Sequence, residues 1–245
     1  MEAIEELSDR FESTKMDLRI FSAAISHEIK APVRAIDGYA RIFMEDYGAK
    51  VDEEGMKLIR NIRNICDDTL SLINKLLEYE KLADIEPVRE VIDFRLLIRN
   101  VFDELVAGYS DKKNIRLEFN GEIPSIIGDS ILMRQVITNI IANSLKFTRN
   151  KECGLISVGY SFRNDEHIFY IKDNGAGFDM KFSQNLFGLF QRMHSMDEFE
   201  GSGVGLAIVK NIIRKSGGRV WITGEVGKGA CVYFTIAQEN ILRYR

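Results

Sequence analysis

Two different spacings of apolar residues divide the chain into a first and a second half. Up to about residue 84, apolar residues recur at steps of three and four, with few glycines and Pro32 as the single proline, which predicts long helices. Beyond Pro87 the pattern changes to short β-branched and aromatic runs separated by helical stretches. At 245 residues the chain is long enough for two domains, and we expect them at 1–85 and 86–245.

The second predicted helix of the first half carries a wide apolar stripe. Its positions step by three and four, with only one polar member: Met56, Ile59, Arg63, Cys66, Leu70, Ile73 and Leu77. A second series that begins at Ile62 runs beside it, so the stripe is wider than a two-stranded coiled coil needs. The segment 46–55 contains glycines and acidic residues suited to joining two helices. We expect an all-α helical hairpin that forms a four-helix bundle in a homodimer.

The second half alternates between strand and helix patterns. Strands are predicted at 115–119, 154–162, 167–173, 219–226 and 230–237, and helices at 94–108, 130–147 and 204–216. Interleaving of this kind is typical of an α/β sandwich, in which helices cover one face of a sheet. The whole chain is therefore expected to be multidomain, with the helical hairpin followed by an α/β sandwich.

Charge and composition narrow the classes of partner. With 33 basic and 37 acidic residues the formal net charge is -4, so we expect no nucleic acid partner. No run of about 18 apolar residues is present, so this segment is not expected to contact a membrane. The cysteines Cys66, Cys153 and Cys231 are far apart and odd in number, which fits a reducing cytoplasm, and Cys66 and Cys231 are expected to fill the core.

Two glycine-rich segments follow strand or loop patterns in the second half. In KDNGAGFD (172–179), Gly175 and Gly177 lie just beyond Asp173, where the backbone can turn tightly against a ligand. The segment GSGVGLAIVK (201–210) places glycines at alternate positions and then opens into a helix, whose backbone N–H groups suit a phosphate. Neither segment has the spacing of a dinucleotide-binding fingerprint or a P-loop.

The helix predicted at 130–147 carries Asn139, Asn143 and Lys146 at steps of four and three on one face. An amide oxygen suits Mg²⁺ and an ammonium suits a phosphate, so this face fits a metal–nucleotide pair. Asparagines on a helix are more often simply solvated, but the apolar residues on the neighbouring face indicate that this one borders the core.

Five segments, in this order, resemble the sensor histidine kinases of two-component signalling. They are FSAAISHEIKAPVRAI (21–36) for the phosphoacceptor box, NIIANSLKFT (139–148) for the asparagine box, DNGAGFD (173–179) for the first glycine box, LFGLFQRM (186–193) for the phenylalanine box and GSGVGLAIVK (201–210) for the second glycine box. The resemblance covers nearly the whole chain and implies an ATP-binding domain shared with gyrase and heat-shock chaperone ATPases.

The resemblance implies that ATP phosphorylates His27 and that Glu28 acts as the general base. It also implies Mg²⁺ held by Asn143, a phosphate contact by Lys146 and an acceptor for the adenine amine at Asp173. The full nucleotide-binding set that it implies is Asn139, Asn143, Lys146, Phe147, Asp173, Gly175, Gly177, Arg192, Gly201, Gly203, Val204, Gly205 and Leu206. Pro32 is expected to loosen or bend the helix after the histidine, and His167 and His194 are expected to be structural.

Further expectations concern partners and alternatives. The implied partner is the receiver domain of a response regulator. The chain is expected to be either a fragment of a longer sensor, whose missing region could be membrane-bound so that this part is the cytoplasmic part of a receptor, or a protein regulated by a partner. Ala31 stands where many relatives with phosphatase activity carry Thr or Asn, so weak phosphatase activity is expected. Ala230 replaces a common threonine, and little consequence is expected. The alternative function is a gyrase-type, ATP-driven dimeric clamp without phosphotransfer.

Overall fold

The computed structural model describes residues 26–81, 87–108, 114–191 and 203–242. The chain divides into two compact units, Met1–Lys81 and Leu82–Arg245. The first contains helices only in its described part, and the second combines helices with two sheets. A helical segment is thus followed by a mixed α/β segment, as the change of period along the sequence predicts.

The first unit is a helical hairpin. Helix α1 covers residues 26–47, a 3₁₀ turn covers Gly48–Lys50, and helix α2 covers Glu53–Lys81. The side chain of Asp52 accepts a hydrogen bond from the backbone N–H of Gly55 at 2.8 Å, so α2 begins before the first apolar position, Met56. The connection is therefore shorter than the predicted 46–55. Helix α1 continues through Pro32, and bending at that proline stays a prediction.

The apolar stripe of α2 packs against α1 along only part of its width. Cys66, Ile73 and Ala40 are buried, whereas Ile62 and Ile65 of the second series are 40% and 62% exposed. Arg63, the polar member of the first series, donates a hydrogen bond at 2.8 Å to the carboxylate of Asp37 on α1. The ion pair explains how a charged residue fits within an apolar stripe.

The second unit contains eight strands and three α-helices in its described part. In chain order it contains β1 (Glu90–Ile92), α3 (Phe94–Ala107), β2 (Asn114–Asn120), β3 (Ser125–Gly128), α4 (Ser130–Thr148), β4 (Cys153–Arg163), β5 (Glu166–Asp173), α5 (Gly205–Lys215), β6 (Val220–Glu225), β7 (Gly229–Ile236) and β8 (Ile241–Leu242). The main sheet has five strands in the order β2-β4-β5-β7-β6, of which only the β2–β4 pair is parallel.

The three predicted helices of this unit and the five predicted strands of the main sheet are all present, with ends that differ by a few residues. The second sheet, in the order β1-β3-β8, is absent from the sequence-based description. Its strands have only two to four residues, which is too short for an alternating pattern to stand out. Asp93 and Asp129 cap α3 and α4 through their side chains.

The core lies between the helices and one face of the main sheet. Phe94 of α3 packs edge to face on Phe169 of β5 and Phe234 of β7, with ring centroids 5.2 and 6.1 Å apart. The alternate residues of the same strands carry an aromatic row on the opposite face, where Tyr233 stacks on Trp221 of β6. One helix-covered face agrees with the predicted sandwich.

Candidate active site

A buried carboxylate ends the central strand β5. Asp173 is 6% exposed, and its Oδ1 atom accepts hydrogen bonds from the backbone N–H groups of Gly175 and Ala230 at 2.9 and 3.2 Å. Its Oδ2 atom lies 3.4 Å from the hydroxyl of Ser144 on α4. Burial raises the pKa of Asp173, while these three donors act to lower it.

Close backbone contacts surround this carboxylate. A side chain at Gly175 would place its Cβ 2.6 Å from the carbonyl oxygen of Phe147, at the end of α4. Gly177 has φ of 64° and its missing Cβ would collide with the carbonyl of Glu225. The loop between Asp173 and Gly177 therefore forms a cradle that packs so closely on neighbouring backbone that only glycine fits at these two positions.

Three further hydrogen bonds hold the cradle in place. The backbone N–H of Ala176 donates to the carbonyl of Phe147 at 3.1 Å, and the N–H of Gly227 donates to the carbonyl of Ala176 at 2.6 Å. Lys151 donates to the carbonyl of Gly227 at 3.0 Å. The end of α4 and the β6–β7 turn thus fix the loop from both sides.

The asparagine face of α4 is half-buried, beside the fully buried Ile141 and Leu145. This position agrees with the expectation that the face borders the core. Asn139 donates to the carbonyl of Gln135 at 2.9 Å, and no side-chain hydrogen bond links Asn143 to another residue in the described part of the chain. The ammonium of Lys146 lies 4.2 Å from the centre of the Phe147 ring.

The start of α5 faces the same helix. A Cβ at Gly205 would lie 2.8 Å from Oδ1 of Asn139, which brings the second glycine segment to the asparagine face. Val204 is fully buried at the N-cap position and provides no side-chain cap. The first backbone N–H groups of α5, from Gly205 and Leu206, therefore have no capping side chain, as a helix start that binds an anion requires.

The site residues fall into three groups. Asn139, Asn143, Lys146, Phe147, Asp173, Gly175, Gly177 and Gly203–Leu206 come together in the second unit. Exposed His27 and Glu28 lie near the start of the described part of α1 in the first unit, with Ala31 one turn later. Arg192, Gly201 and His194 lie outside the described residues.

Sequence reasoning missed two polar side chains at the cradle. Asn174 accepts a hydrogen bond from the N–H of Leu155 at 2.9 Å and donates to the carbonyl of Cys153 at 3.0 Å, so its amide continues the pairing between β5 and β4. Ser144 reaches Asp173 across 29 positions of sequence. The position of Asn174 directly after the predicted strand end was the one available signal; Ser144 had none.

Two families match the chain in succession. Residues 17–84 match the His Kinase A (phospho-acceptor) domain. Residues 128–240 match the family described as histidine kinase-, DNA gyrase B- and HSP90-like ATPase. The first match includes His27 and the second includes the whole cradle with the start of α5.

Similar proteins share this succession over almost the full chain. The chain is 30% identical to cyanobacterial phytochrome A of a Nostoc species over 239 residues, which is 95% of the chain and 30% of that protein. It is 29% identical to the phytochrome-like protein Cph1 of a Synechocystis species over 246 residues, 98% of the chain and 32% of that protein. The chain therefore spans about a third of the length of these relatives.

A solved structure, full-length ShkA in complex with AMPPNP, superposes with a TM-score of 0.63 at 28% identity and covers 91% of this chain and 46% of that one. None of the helices in the described ranges is long and apolar enough to cross a membrane. The order of the two matched domains, the folds of the two units and the similarity to these proteins point to the same family. The chain belongs to the sensor histidine kinases of two-component signalling, with a phosphoacceptor domain followed by a gyrase- and HSP90-like ATP-binding domain.

Proposed function

We propose that this chain phosphorylates itself on His27 with ATP and passes the phosphoryl group to an aspartate in the receiver domain of a response regulator. The observation that carries the proposal is the pairing, in one chain, of an exposed histidine beside Glu28 with a glycine cradle around buried Asp173. The domains are assigned to 1–85 for dimerisation and phosphotransfer and to 86–245 for nucleotide binding.

The cradle is the site for the adenine of ATP. The Oδ2 atom of Asp173 has acceptor capacity left, which suits the amine of the base, and Gly175 and Gly177 let the loop beside this carboxylate pack closely on Phe147 and Glu225. Phe147, at the end of α4, is assigned to the same site, where its backbone carbonyl lies against Gly175 and accepts a hydrogen bond from Ala176. These features fit an adenine nucleotide.

The phosphates belong at the asparagine face and the start of α5. Lys146 supplies a positive charge, and the uncapped N–H groups of Gly205 and Leu206 suit phosphate oxygens, with Arg192 and Gly201 assigned to the same end. The amide oxygen of Asn143, which has no other described partner, suits Mg²⁺, with Asn139 beside it. When bound, Mg²⁺ neutralises charge on the phosphates.

Transfer to His27 follows the general requirements of phosphoryl transfer. One ring nitrogen of His27 forms a bond to the γ-phosphorus while the bond to the oxygen bridging the β- and γ-phosphates breaks, and ADP leaves. Glu28, the next residue on α1, takes the proton from the other ring nitrogen as general base. The product is a phosphoramidate that can pass its phosphoryl group to an aspartate carboxylate of the receiver domain.

The hairpin surface supports a homodimer as the acting form. Leu58, Ile62 and Ile65 of α2 and Ile36 and Tyr39 of α1 are exposed in the single chain. A second hairpin would bury such residues in a four-helix bundle. The reaction is assigned to the cytoplasm, where ATP is available.

The test is to incubate the purified chain with γ-labelled ATP and Mg²⁺ beside His27→Gln and Glu28→Gln. We expect label that survives alkali and is lost in acid, no label on His27→Gln, and a rate lowered about 10²- to 10⁴-fold in Glu28→Gln. If free phosphate accumulated equally with and without His27 while the protein stayed unlabelled, the chain would act as an ATP-driven clamp instead.

A further inference from the structure

Two buried polar side chains meet at the closed end of the cradle. Ser144 is 3% exposed and Asp173 is 6% exposed, and 3.4 Å separates Oγ of Ser144 from Oδ2 of Asp173. The two carboxylate oxygens differ in their surroundings. Oδ1 accepts hydrogen bonds from two backbone N–H groups, whereas Oδ2 has only this long contact with Ser144 within the described part of the chain. Oδ2 is therefore the oxygen with capacity for a ligand.

The direction of the Ser144 hydroxyl is unusual for this chain. On the helices, the hydroxyls of Thr69, Thr148 and Ser216 donate to the carbonyl four residues earlier, at 2.7, 2.7 and 3.1 Å. Ser144 turns to Asp173 instead, at a distance that is long for a hydrogen bond between oxygens. A buried hydroxyl with so weak a bond is incompletely satisfied, which favours a ligand that completes it.

The opposite side of the carboxylate has no competing hydroxyl. Strand β7 supplies Ala230 there, which contributes its backbone N–H and a methyl group. Within the described residues, Ser144 is the only side chain that donates to Asp173. Ser144 therefore supplies the hydroxyl at this carboxylate in the described part of the chain.

We propose that Ser144 helps to recognise the base of the bound nucleotide. Its hydroxyl donates a hydrogen bond to the ring nitrogen beside the amine, directly or through one water. The inference rests on the proposed function. Adenine presents a donor amine next to an acceptor ring nitrogen, and the carboxylate with the hydroxyl offers the matching acceptor and donor. Guanine presents an oxygen and an N–H at these places, so its oxygen would face the carboxylate of Asp173.

The experiment measures equilibrium binding of ADP analogues by calorimetry, without turnover. The chain and its Ser144→Ala variant are each titrated with ADP, with 1-deaza-ADP, which lacks the ring nitrogen beside the amine, and with 7-deaza-ADP, which is altered at the other edge. We expect Ser144→Ala to lower the affinity for ADP and for 7-deaza-ADP about 5- to 10-fold and to leave the affinity for 1-deaza-ADP unchanged.

Ser216→Ala is the matched control, because the Ser216 hydroxyl donates to the carbonyl of Ile212 and not to Asp173. We expect this variant to leave the affinities for all three nucleotides unchanged. Equal weakening of all three nucleotides by Ser144→Ala would show that Ser144 acts only through Asp173, and no weakening would show that the hydroxyl is not used. Either result overturns the inference. Failure of the unaltered chain to bind ADP at all would instead overturn the proposed function, so the two failures are distinguishable.

Discussion

Asp173 experiences opposing effects on its ionisation. Its burial disfavours the charged form and raises the pKa, while Gly175, Ala230 and Ser144 donate to that form. No charged side chain is among the causes of this shift. Burial also raises the pKa of the Cys231 thiol to about 11, and the charge of Asp173 adds to that rise. The carboxylate is therefore held by neutral donors, as suits an acceptor for a neutral amine.

The Asp173→Asn variant is expected to be more stable than the natural chain, by a free energy of unfolding that grows as pH rises. A folded-state pKa above the unfolded value of about 3.9 means that the unfolded chain ionises first, so the free energy of unfolding falls as pH rises between the two values. Asn has no such ionisation, and its amide oxygen can still accept from Gly175 and Ala230. Thermal unfolding of both proteins between pH 4 and pH 8 measures the difference.

The same variant is expected to bind ADP about 10- to 100-fold more weakly, because its amide N–H would face the amine of adenine, which is also a donor. A stability advantage that shrank with rising pH would contradict the assigned direction of the Asp173 pKa. Binding equal to that of the natural chain would contradict the role of Asp173 in the site, independently of the stability result.

The residues of the site also differ in whether the sequence alone could identify them. Asp173, Gly175 and Gly177 stand in a recognisable order of motifs, so they could be selected without coordinates. Ser144 could not, because its role depends on a contact between a helix and a strand end that are distant in sequence. Helical periodicity places Ser144 on the buried face but contains no information about its partner.

Among the secondary-structure elements, β4 and β5 hold the cradle through the amide of Asn174. Asn174→Ala removes two hydrogen bonds to the backbone of β4, at Cys153 and Leu155, and is expected to lower the free energy of unfolding by about 1–2 kcal/mol. Because Asn174 itself belongs to the cradle, ADP should also bind several-fold more weakly. Denaturant unfolding and calorimetry measure the two effects.

Asn114→Ala is the matched control, since the Asn114 amide is exposed and only accepts a 3.4 Å contact from Arg116. Its effect on stability should stay within about 0.5 kcal/mol. If both variants had the same small effect, the amide of Asn174 would not be holding the strand end. Loss of stability with unchanged ADP affinity would separate the strand end from the nucleotide site.

The lengths of the elements explain which were predictable. The long periodic series of α2, and α3 and α4 with their aspartate caps, give clear signals. The main strands are at least six residues long, and burial alternates over six residues in β4 and β5. The three short strands of the small sheet are held by pairing with one another, as β3 is with β1 and β8. Such pairing is tertiary and has no local pattern. Arg63 looked like an exception in an apolar stripe until its partner Asp37 on α1 was known.

The apolar surface of the hairpin supports the proposed homodimer. On α2, Leu58 and Ile65 are 59% and 62% exposed, and Tyr39 on α1 is 75% exposed. Exposed apolar residues repeated along both helices are typical of an interaction surface. Their burial against a second copy of the chain would contribute a favourable free energy in proportion to the apolar area removed from water.

Ile65→Glu is expected to convert the chain from a dimer to a monomer at micromolar concentration, because a carboxylate at the bundle interface would be buried without a partner. Light scattering after size-exclusion chromatography measures the mass. Ile131→Glu, at an equally exposed isoleucine on α4 of the other unit, is the control and should remain a dimer. A natural chain that is monomeric in this experiment would contradict the four-helix bundle. A monomeric Ile65→Glu that still bound ADP as tightly as the natural chain would show that dimerisation and nucleotide binding reside in separate units, as their separate cores imply.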